Sequence, residues 1–187
     1  SLDAGNTSSS TLSVAEFDGN ATEDKLVVDG VSYTFPVGDA TVFVADNGDA
    51  SALFSVACTY GGPTNTLDDC GNVNAAPSLG GVAAGASYDF GNGFTTAVGY
   101  QAKEGEEAKG LMTEESLDKY ALNAAYAGDN YGVSVTYGNI EDGADGNDTY
   151  TAFNGYYTPD GEGLPSISVG YEIGDDGNKT TEEEITS

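Results

Sequence analysis

The acidic residues and the two cysteines are the side chains in this sequence whose types and spacing could do chemistry. The chain has 187 residues and contains no histidine, so a histidine-dependent triad or a histidine metal site is excluded. Paired carboxylates such as Glu114-Glu115 could formally act as acid and base, but no companion residue is identifiable beside them. We therefore expect a protein that is not an enzyme and that needs no cofactor.

Two acidic runs that contain glycine offer the hard oxygen ligands that calcium prefers. They are residues 142–148 and 174–178, and the candidate ligands in the first are Asp142, Asp145 and Asp148. Neither run has the spacing of an EF-hand loop, so a solvated acidic loop is the preferred interpretation over a calcium site. No other metal site is predicted.

Cys58 and Cys70 lie in a loop rich in glycine, proline, asparagine and aspartate. Nothing nearby supplies the further ligands of a zinc site, so a disulfide is preferred over two free thiols. Closing a loop of this length stabilises a fold by about 3 kcal/mol in the chain-entropy model. The disulfide predicts an oxidising compartment, and a loop that either folds into a lumen or caps an outer mouth.

The strongly acidic composition excludes further classes of partner. With 31 acidic and 5 basic residues the formal net charge is −26, and such a surface repels phosphate backbones, so no nucleic-acid partner is expected. No stretch reaches the ~20 apolar residues of a spanning helix. If the chain is in a membrane, we expect it to cross as strands and its targeting sequence to have been removed or to lie outside this chain.

Strand-like alternation runs along most of the sequence, and it is clearest in residues 120–137. There, two apolar rows ending in tyrosine alternate with small polar residues, a pattern typical of a membrane-spanning hairpin, although a soluble core is the alternative. We predict an all-β fold, an antiparallel transmembrane β-barrel built as a meander of hairpins. In strand 149–158 the faces are ambiguous because Phe153 and Tyr157 oppose Tyr150 and Tyr156. The predicted strands lie near residues 11–17, 25–35, 41–45, 82–90, 94–100, 120–126, 131–137, 149–158 and 165–173.

The connections between the predicted strands alternate in length. Short turns are expected at residues 91–93 and 128–130, and long acidic loops at 103–116 and 140–148. Short turns on one rim and long loops on the other are typical of outer-membrane barrels. Residues 46–79, which contain the disulfide, form the longest segment without a strand pattern, and such loops are usually functional or mobile.

The inward-facing side chains of the predicted barrel are small or polar. They include two carboxylates, Asp89 and Glu172, and no base, so we expect a water-filled lumen that prefers cations. Arginine should be costly at outward positions such as Leu122 and mild at Ser134 or Thr136. The predicted pore-lining residues are Asp89, Gln101, Asn123, Ser134, Thr136, Ser166, Ser168 and Glu172.

Five segments of the sequence carry a family resemblance when they are taken in order. They are residues 33–39, 60–74, 86–94, 110–113 and 156–171. Pieces such as Phe-Pro-Val-Gly-Asp are unspecific alone, but the order and spacing of the five segments resemble the cyanobacterial outer-membrane porins that carry an S-layer-homology domain ahead of an OprB-like barrel. The resemblance implies a homotrimeric diffusion channel for ions and small solutes, surrounded by outer-membrane lipid of a Gram-negative-type bacterium.

The chain departs from that family at both ends. It contains no S-layer-homology domain, and it finishes in the acidic run 180–187 rather than in an aromatic strand. About nine strands are predicted, whereas bacterial single-chain barrels use an even number and must close. We therefore expect residues 1–187 to form an incomplete portion of a larger barrel, with the tail as a loop, or a short relative that closes by oligomerising.

Three functions from different classes remain open. The leading one is a passive, cation-preferring outer-membrane porin. The second is a secreted, acidic, β-rich structural or filament subunit whose aromatic rows bury contacts between subunits. The third is a carbohydrate-active or calcium-dependent binding domain, for which the sequence offers no tryptophan platform. Dependence on detergent or lipid separates the first function from the second.

Overall fold

The fold is all-β in the part of the chain that the structure, a computed structural model, describes. In that part eleven strands occur and no α-helix does, and no helix is long and apolar enough to cross a membrane. The strands are β1 (Leu2–Ala4), β2 (Leu26–Val28), β3 (Val31–Val37), β4 (Ala40–Asp46), β5 (Gly80–Asp89), β6 (Phe94–Lys103), β7 (Asp118–Ala127), β8 (Tyr131–Glu141), β9 (Asn147–Tyr157), β10 (Ile167–Asp175) and β11 (Glu184–Thr186). The described residues are 2–4, 26–28, 30–58, 70, 72, 74–76, 80–105, 109–110, 113, 116–141, 146–161, 163–175, 177 and 184–186, with the backbone alone for β1, β2 and β11.

Strands β3 to β11 form one antiparallel sheet in which every strand pairs with its neighbours in sequence. β1 and β2 pair with each other in a separate ribbon. The predicted all-β meander is therefore confirmed. Among the described residues the sheet is open, with β3 and β11 at its edges, so closure into a barrel stays a prediction.

Tight turns fix the register of the first hairpins. Val37 pairs with Ala40 across a turn made by Gly38 and Asp39, and Gly38 adopts a φ of 63°, which glycine reaches without steric cost. Similar short connections join β5 to β6 and β7 to β8 at the same rim. Because the side-chain period of a strand is two, this register sends alternate residues of every strand to opposite faces of the sheet.

Two strand predictions need correction. The expected strand 25–35 is divided, because β2 pairs with β1 while β3 begins at Val31 and pairs with β4. The acidic tail was expected to be a loop, but Glu184–Thr186 pairs with the edge of β10, whose backbone groups are open to an extended segment. The expected strand 11–17 lies outside the described residues.

The alternation of connection lengths is only partly as expected. The turns 38–39, 90–93 and 128–130 lie on one rim, and the long connection 47–79 lies on the other. However, β8 continues to Glu141 and β9 begins at Asn147, which shortens the expected loop 140–148 to residues 142–146. Backbone pairing between Glu141 and Asn147 extends the ladder through residues whose sequence reads as a loop.

Candidate functional site

The two faces of the sheet have opposite chemistry. On one face, which we call the outer face, large apolar side chains are about half exposed, whereas polar side chains on the other, the inner face, are buried. Leu122 is 50% exposed, for example, while its neighbour Asn123 is 4% exposed. The exposed outer-face residues include Val44, Tyr88, Phe94, Val98, Tyr120, Leu122, Val133, Phe153, Ile167, Val169 and Tyr171.

The inner face is buried because a segment of the β4–β5 connection lies on it. We call this the covering segment, and its described residues are 47–58, 70, 72 and 74–76. The predicted disulfide is present: Cys58 bonds to Cys70, with their Cα atoms 6.1 Å apart. The described residues of this connection lie against the inner face of the sheet, and their position in a lumen stays a prediction, as closure of the barrel does.

Side chains of β6 and β7 bond to the backbone of the covering segment. On β6, the Gln101 Oε1 atom accepts a hydrogen bond from the Ala50 N–H at 3.1 Å, and the Gln101 amide donates to the Gly48 carbonyl. On β7, Asn123 makes a paired contact, since its Oδ1 accepts from the Ser55 N–H at 2.9 Å and its Nδ2 donates to the Ser55 carbonyl at 3.1 Å. These side chains therefore replace water as partners of the segment's backbone.

Strands β8 and β9 continue the same row of anchors. The Ser134 hydroxyl on β8 accepts from the Ala57 N–H at 2.9 Å, and Asn154 on β9 donates from Nδ2 to the Cys70 carbonyl at 2.7 Å. Together with β6 and β7, four consecutive strands thus bind successive parts of one segment. The covering segment runs across the strands, not along them.

Glu172 on β10 is the strongest single anchor. Its carboxylate is 2% exposed and accepts hydrogen bonds from the Asn74 N–H at 3.0 Å, the Asn74 side-chain amide at 2.7 Å and the Ala75 N–H at 2.9 Å. Hydrogen bonds to an ionised acceptor are about twice as strong as neutral ones. The carboxylate is therefore engaged with the protein itself.

Lys119 corrects the expectation that no base faces inward. Its side chain is fully buried on β7, two positions before Ala121 on the same face, and its ammonium interacts electrostatically with Asp49 and Glu172. The alternation of β7 contained the signal, because Lys119 has the same parity as the predicted inward residue Asn123. The inner face therefore contains a buried lysine as well as the buried carboxylate of Glu172.

Glycines on the inner face let the covering segment approach the strands closely. A Cβ atom added at Gly99 would overlap the Ala50 carbonyl, and one added at Gly170 would overlap the Cys70 carbonyl. Glycine is the residue that allows two backbones to come this near. The path of the segment is thus fixed by two features. Polar side chains bond to its backbone, and glycines on the strands leave room for it.

The structure brings five of the eight predicted pore-lining residues together under the covering segment. They are Gln101, Asn123, Ser134, Thr136 and Glu172, all buried. Thr136 is fully buried and accepts hydrogen bonds from the amides of Asn123 at 2.9 Å and Asn72 at 3.4 Å. Arginine at Ser134 or Thr136 is consequently expected to displace the segment, which revises the expectation of a mild effect.

The other three predicted pore-lining residues lie elsewhere. Asp89 is exposed at the short-turn rim, where its Oδ1 accepts from the Gly91 N–H at 2.8 Å and so serves the turn. Ser168 is half-buried on β10, and Ser166 is half-buried just before that strand. None of the three is among the side chains that anchor the covering segment through the hydrogen bonds described above.

Tyr150 and Asn154 on β9 are inner-face residues that were not predicted. Tyr150 is buried and packs with Ala75 and Ala152, whereas Phe153 and Tyr157 are exposed on the outer face. This resolves the ambiguity of the expected strand 149–158. The sequence of β9 alone could not show which tyrosine faces inward. The inward position of Tyr150 is favourable because it packs against Ala75 of the covering segment.

The calcium candidates gain no support from the described residues. Asp142 and Asp145 lie outside them, and Asp148 is half-buried in β9. In the part of the chain that is described, no group of three or more histidine, cysteine, aspartate or glutamate residues could hold a metal ion. In the second acidic run, Asp175 Oδ1 accepts from the Gly177 N–H at 3.1 Å, which is turn chemistry.

The inner-face anchors together hold a polypeptide segment in place and satisfy its buried backbone groups. Their donors and acceptors are occupied by that segment, so this arrangement suits a fixed structural element better than a site that transforms a substrate. No protein-family model matches the chain, and a search of curated proteins finds no relative either.

Proposed function

We propose that this chain forms part of an outer-membrane porin, a passive β-barrel channel for small ions and solutes. One observation carries the proposal: strands β3 to β10 expose large apolar side chains on one face, while the opposite face of β6 to β10 buries polar ones. In water this outer face would expose many neighbouring apolar side chains, which monomeric soluble proteins rarely do. In lipid it would be covered by acyl chains, as in membrane-spanning barrels.

The aromatic residues of the outer face support the same proposal. Rings gather at the rim of short turns, where Phe94 and Tyr126 have centroids 4.7 Å apart and Tyr126 and Tyr131 have centroids 5.7 Å apart. Valine and leucine occupy the middle of the strands, as Leu122 and Val135 do. Aromatic rings at the interface and aliphatic side chains between them are the distribution that a bilayer favours.

The covering segment narrows the lumen of the proposed channel. The carboxylate of Glu172 is buried and accepts hydrogen bonds from the covering segment, so it is engaged by the protein and not presented to a lumen. Preference for cations would therefore arise from the acidic loops and from the net charge of −26, more than from the inner face. Strands beyond β3 and β11, from further residues or further copies in a homotrimer, would have to close the barrel.

The test of channel function is a planar-bilayer recording under a KCl gradient. A cation-preferring pore gives a reversal potential of the sign set by potassium, and the preference grows in dilute salt, where the Debye length is about 30 Å at 0.01 M. Replacing the exposed rim carboxylate, Asp89→Asn, should lower the preference, while Thr95→Ser on the inner face should leave it unchanged. A zero potential, or one of the sign for chloride, contradicts the proposed selectivity.

A secreted filament subunit is the second candidate, and the open edge of β3 favours it. Val31 and Tyr33 on that strand are 62% and 65% exposed, and an apolar edge strand can pair with another copy. Analytical ultracentrifugation with and without detergent separates the candidates. A porin disperses only in detergent, whereas a filament subunit stays soluble or forms ordered assemblies in plain buffer.

A further inference from the structure

Two depressions adjoin each other on the outer surface, and Tyr126 lines both. The first, which we call the apolar groove, has a volume of about 320 Å³ and is lined by Phe94, Ala124, Tyr126, Val133 and Phe153, among others. The second, the rim pocket, has a volume of about 540 Å³ and lies between the β5–β6 and β7–β8 turns. Both volumes fall in the range of about 300–1,000 Å³ that is usual for small-molecule sites.

The apolar groove exists because one small residue sits among large ones. Ala124 on β7 pairs with Thr96 on one side and with Val135 on the other, and Phe153 follows Val135 on β9. Phe94 lies two residues closer to the short-turn rim than Thr96 and pairs with Tyr126. The missing side-chain volume at Ala124 leaves a depression bordered by apolar side chains, and an apolar lining suits a hydrocarbon chain.

The rim pocket has the opposite chemistry. Its polar lining consists of Asn92, Asp129 and Asn130, together with the phenols of Tyr126 and Tyr131, and none of the described lysines lines it. The two amides are held in place, because Asn92 Oδ1 accepts from the Phe94 N–H at 3.3 Å and Asn130 Nδ2 donates to the Thr158 carbonyl at 3.1 Å. Asn92 keeps its amide donors and Asn130 its carbonyl acceptor for another partner.

We propose that the apolar groove and the rim pocket together bind one glycolipid, with an acyl chain in the groove and an uncharged sugar headgroup in the pocket. Amide and carboxylate groups can bond to sugar hydroxyls, and the tyrosine rings can cover the apolar face of a sugar. A phosphate headgroup would meet the Asp129 carboxylate and a chain of net charge −26. The inference rests on the proposed function, because only a membrane-embedded outer face meets lipid.

Lipid retention by the full chain in non-ionic detergent, read by native mass spectrometry, tests the inference. The probes share dioleoyl chains and differ in headgroup: a galactosyl diacylglycerol, phosphatidylglycerol and phosphatidylcholine. We expect one galactolipid retained per chain, about tenfold more strongly than either phospholipid. Ala124→Leu, which fills the groove, should lower galactolipid retention about tenfold, and Ala86→Leu, an outer-face alanine on β5 outside the groove, should not change it.

The headgroup is tested separately at Asp129. Asp129→Lys should raise retention of phosphatidylglycerol and lower that of the galactolipid, because the sign of the charge at the rim pocket is reversed. Equal retention of all three lipids by the natural chain would overturn the inference, as would equal effects of Ala124→Leu and Ala86→Leu.

Insertion into vesicles of dioleoylphosphatidylcholine is measured first for each variant. This measurement distinguishes failure of the proposed porin function from failure of the glycolipid site. A natural chain that does not insert refutes the proposed function and the glycolipid site with it. A chain that inserts and retains the three lipids equally refutes the glycolipid site alone. For Ala124→Leu, lost retention supports the site only if the variant inserts as the natural chain does.

Discussion

The outer and inner faces belong to the same strands, yet they depend on different partners. On β7, Leu122 points outward and is half exposed, while Asn123 points inward and is buried against Ser55 of the covering segment. The inner face is satisfied within the molecule, by hydrogen bonds to one segment. The outer face has no such cover among the described residues, so its stability is set by the surrounding medium. Substitutions on the two faces should therefore differ in kind as well as in size.

The largest effect is expected on the inner face at Glu172. Glu172→Ala removes the acceptor of three donors on Asn74 and Ala75 and leaves Lys119 buried with less compensation. Removing one partner of a buried charged group typically costs about 3–5 kcal/mol. Urea unfolding in detergent should show this loss, whereas Glu104→Ala, at an exposed carboxylate, should change the free energy of unfolding by less than about 0.5 kcal/mol. Similar values for both variants would refute the anchoring role of Glu172.

On the outer face, Leu122→Arg tests dependence on the medium. At the middle of a bilayer an arginine should make folding into vesicles less favourable by about 2–4 kcal/mol. Ser87→Arg is the matched inner-face control, because Ser87 is half-buried, lies outside the hydrogen bonds to the covering segment described above, and follows Ala86, which is level with Leu122 through Val98. Its effect should be smaller. Equal tolerance at both positions would mean that the outer face does not contact lipid.

The disulfide tests whether the covering segment can be loosened without losing the sheet. Cys58→Ser should lower the free energy of unfolding by about 3 kcal/mol in the chain-entropy model and should increase hydrogen exchange in residues 47–58. Exchange in β7 and β8 should stay slow, since their ladder does not involve the disulfide. The prediction fails if both cysteines of the natural chain are free thiols under non-reducing conditions, or if exchange rises equally in strands and segment.

The smallest effect is expected from alanine substitutions at two glycines, Gly170 and Gly155. Gly170→Ala places a methyl group against the Cys70 carbonyl and should cost about 1–3 kcal/mol through overpacking. At Gly155 the nearest atom to an added Cβ is the Gly132 carbonyl oxygen at 3.5 Å, an ordinary contact, so Gly155→Ala should be neutral within about 0.5 kcal/mol. Limited proteolysis should cleave the covering segment faster in Gly170→Ala than in Gly155→Ala. Equal cleavage of both variants would argue against close packing at Gly170.

Much of the fold could be predicted, because apolar and polar residues alternate along each strand and this pattern is visible in the local sequence. The hairpin of β7 and β8 was predicted within a few residues at each end, since its period of two is continuous from Tyr120 to Tyr137. Pairings that depend on distant residues were not predictable in this way. The strand Glu184–Thr186 carries no apolar alternation of its own and forms against an edge supplied by β10.

The candidate site was predicted in part for the same reason. Parity along each strand identified the inward residues Gln101, Asn123 and Ser134, but it could not show what would cover them. The strands bind the covering segment mainly through its backbone N–H and C=O groups. Because nearly every residue carries these groups, the sequence does not indicate which segment is bound. Lys119 had the right parity and was missed because a buried cation is unfavourable until Asp49 and Glu172 are placed beside it.

The most direct test of the central claim, that the outer face contacts lipid and the inner face does not, is quenching by brominated acyl chains. Single cysteines carrying a fluorophore are placed at Val98 and Val169 on the outer face and at Thr95 and Ser87 on the inner face, while the natural cysteines stay in their disulfide. In vesicles of brominated lipid, strong quenching is predicted at Val98 and Val169 and little at Thr95 and Ser87. Equal quenching at all four positions, or none at any, would contradict the account.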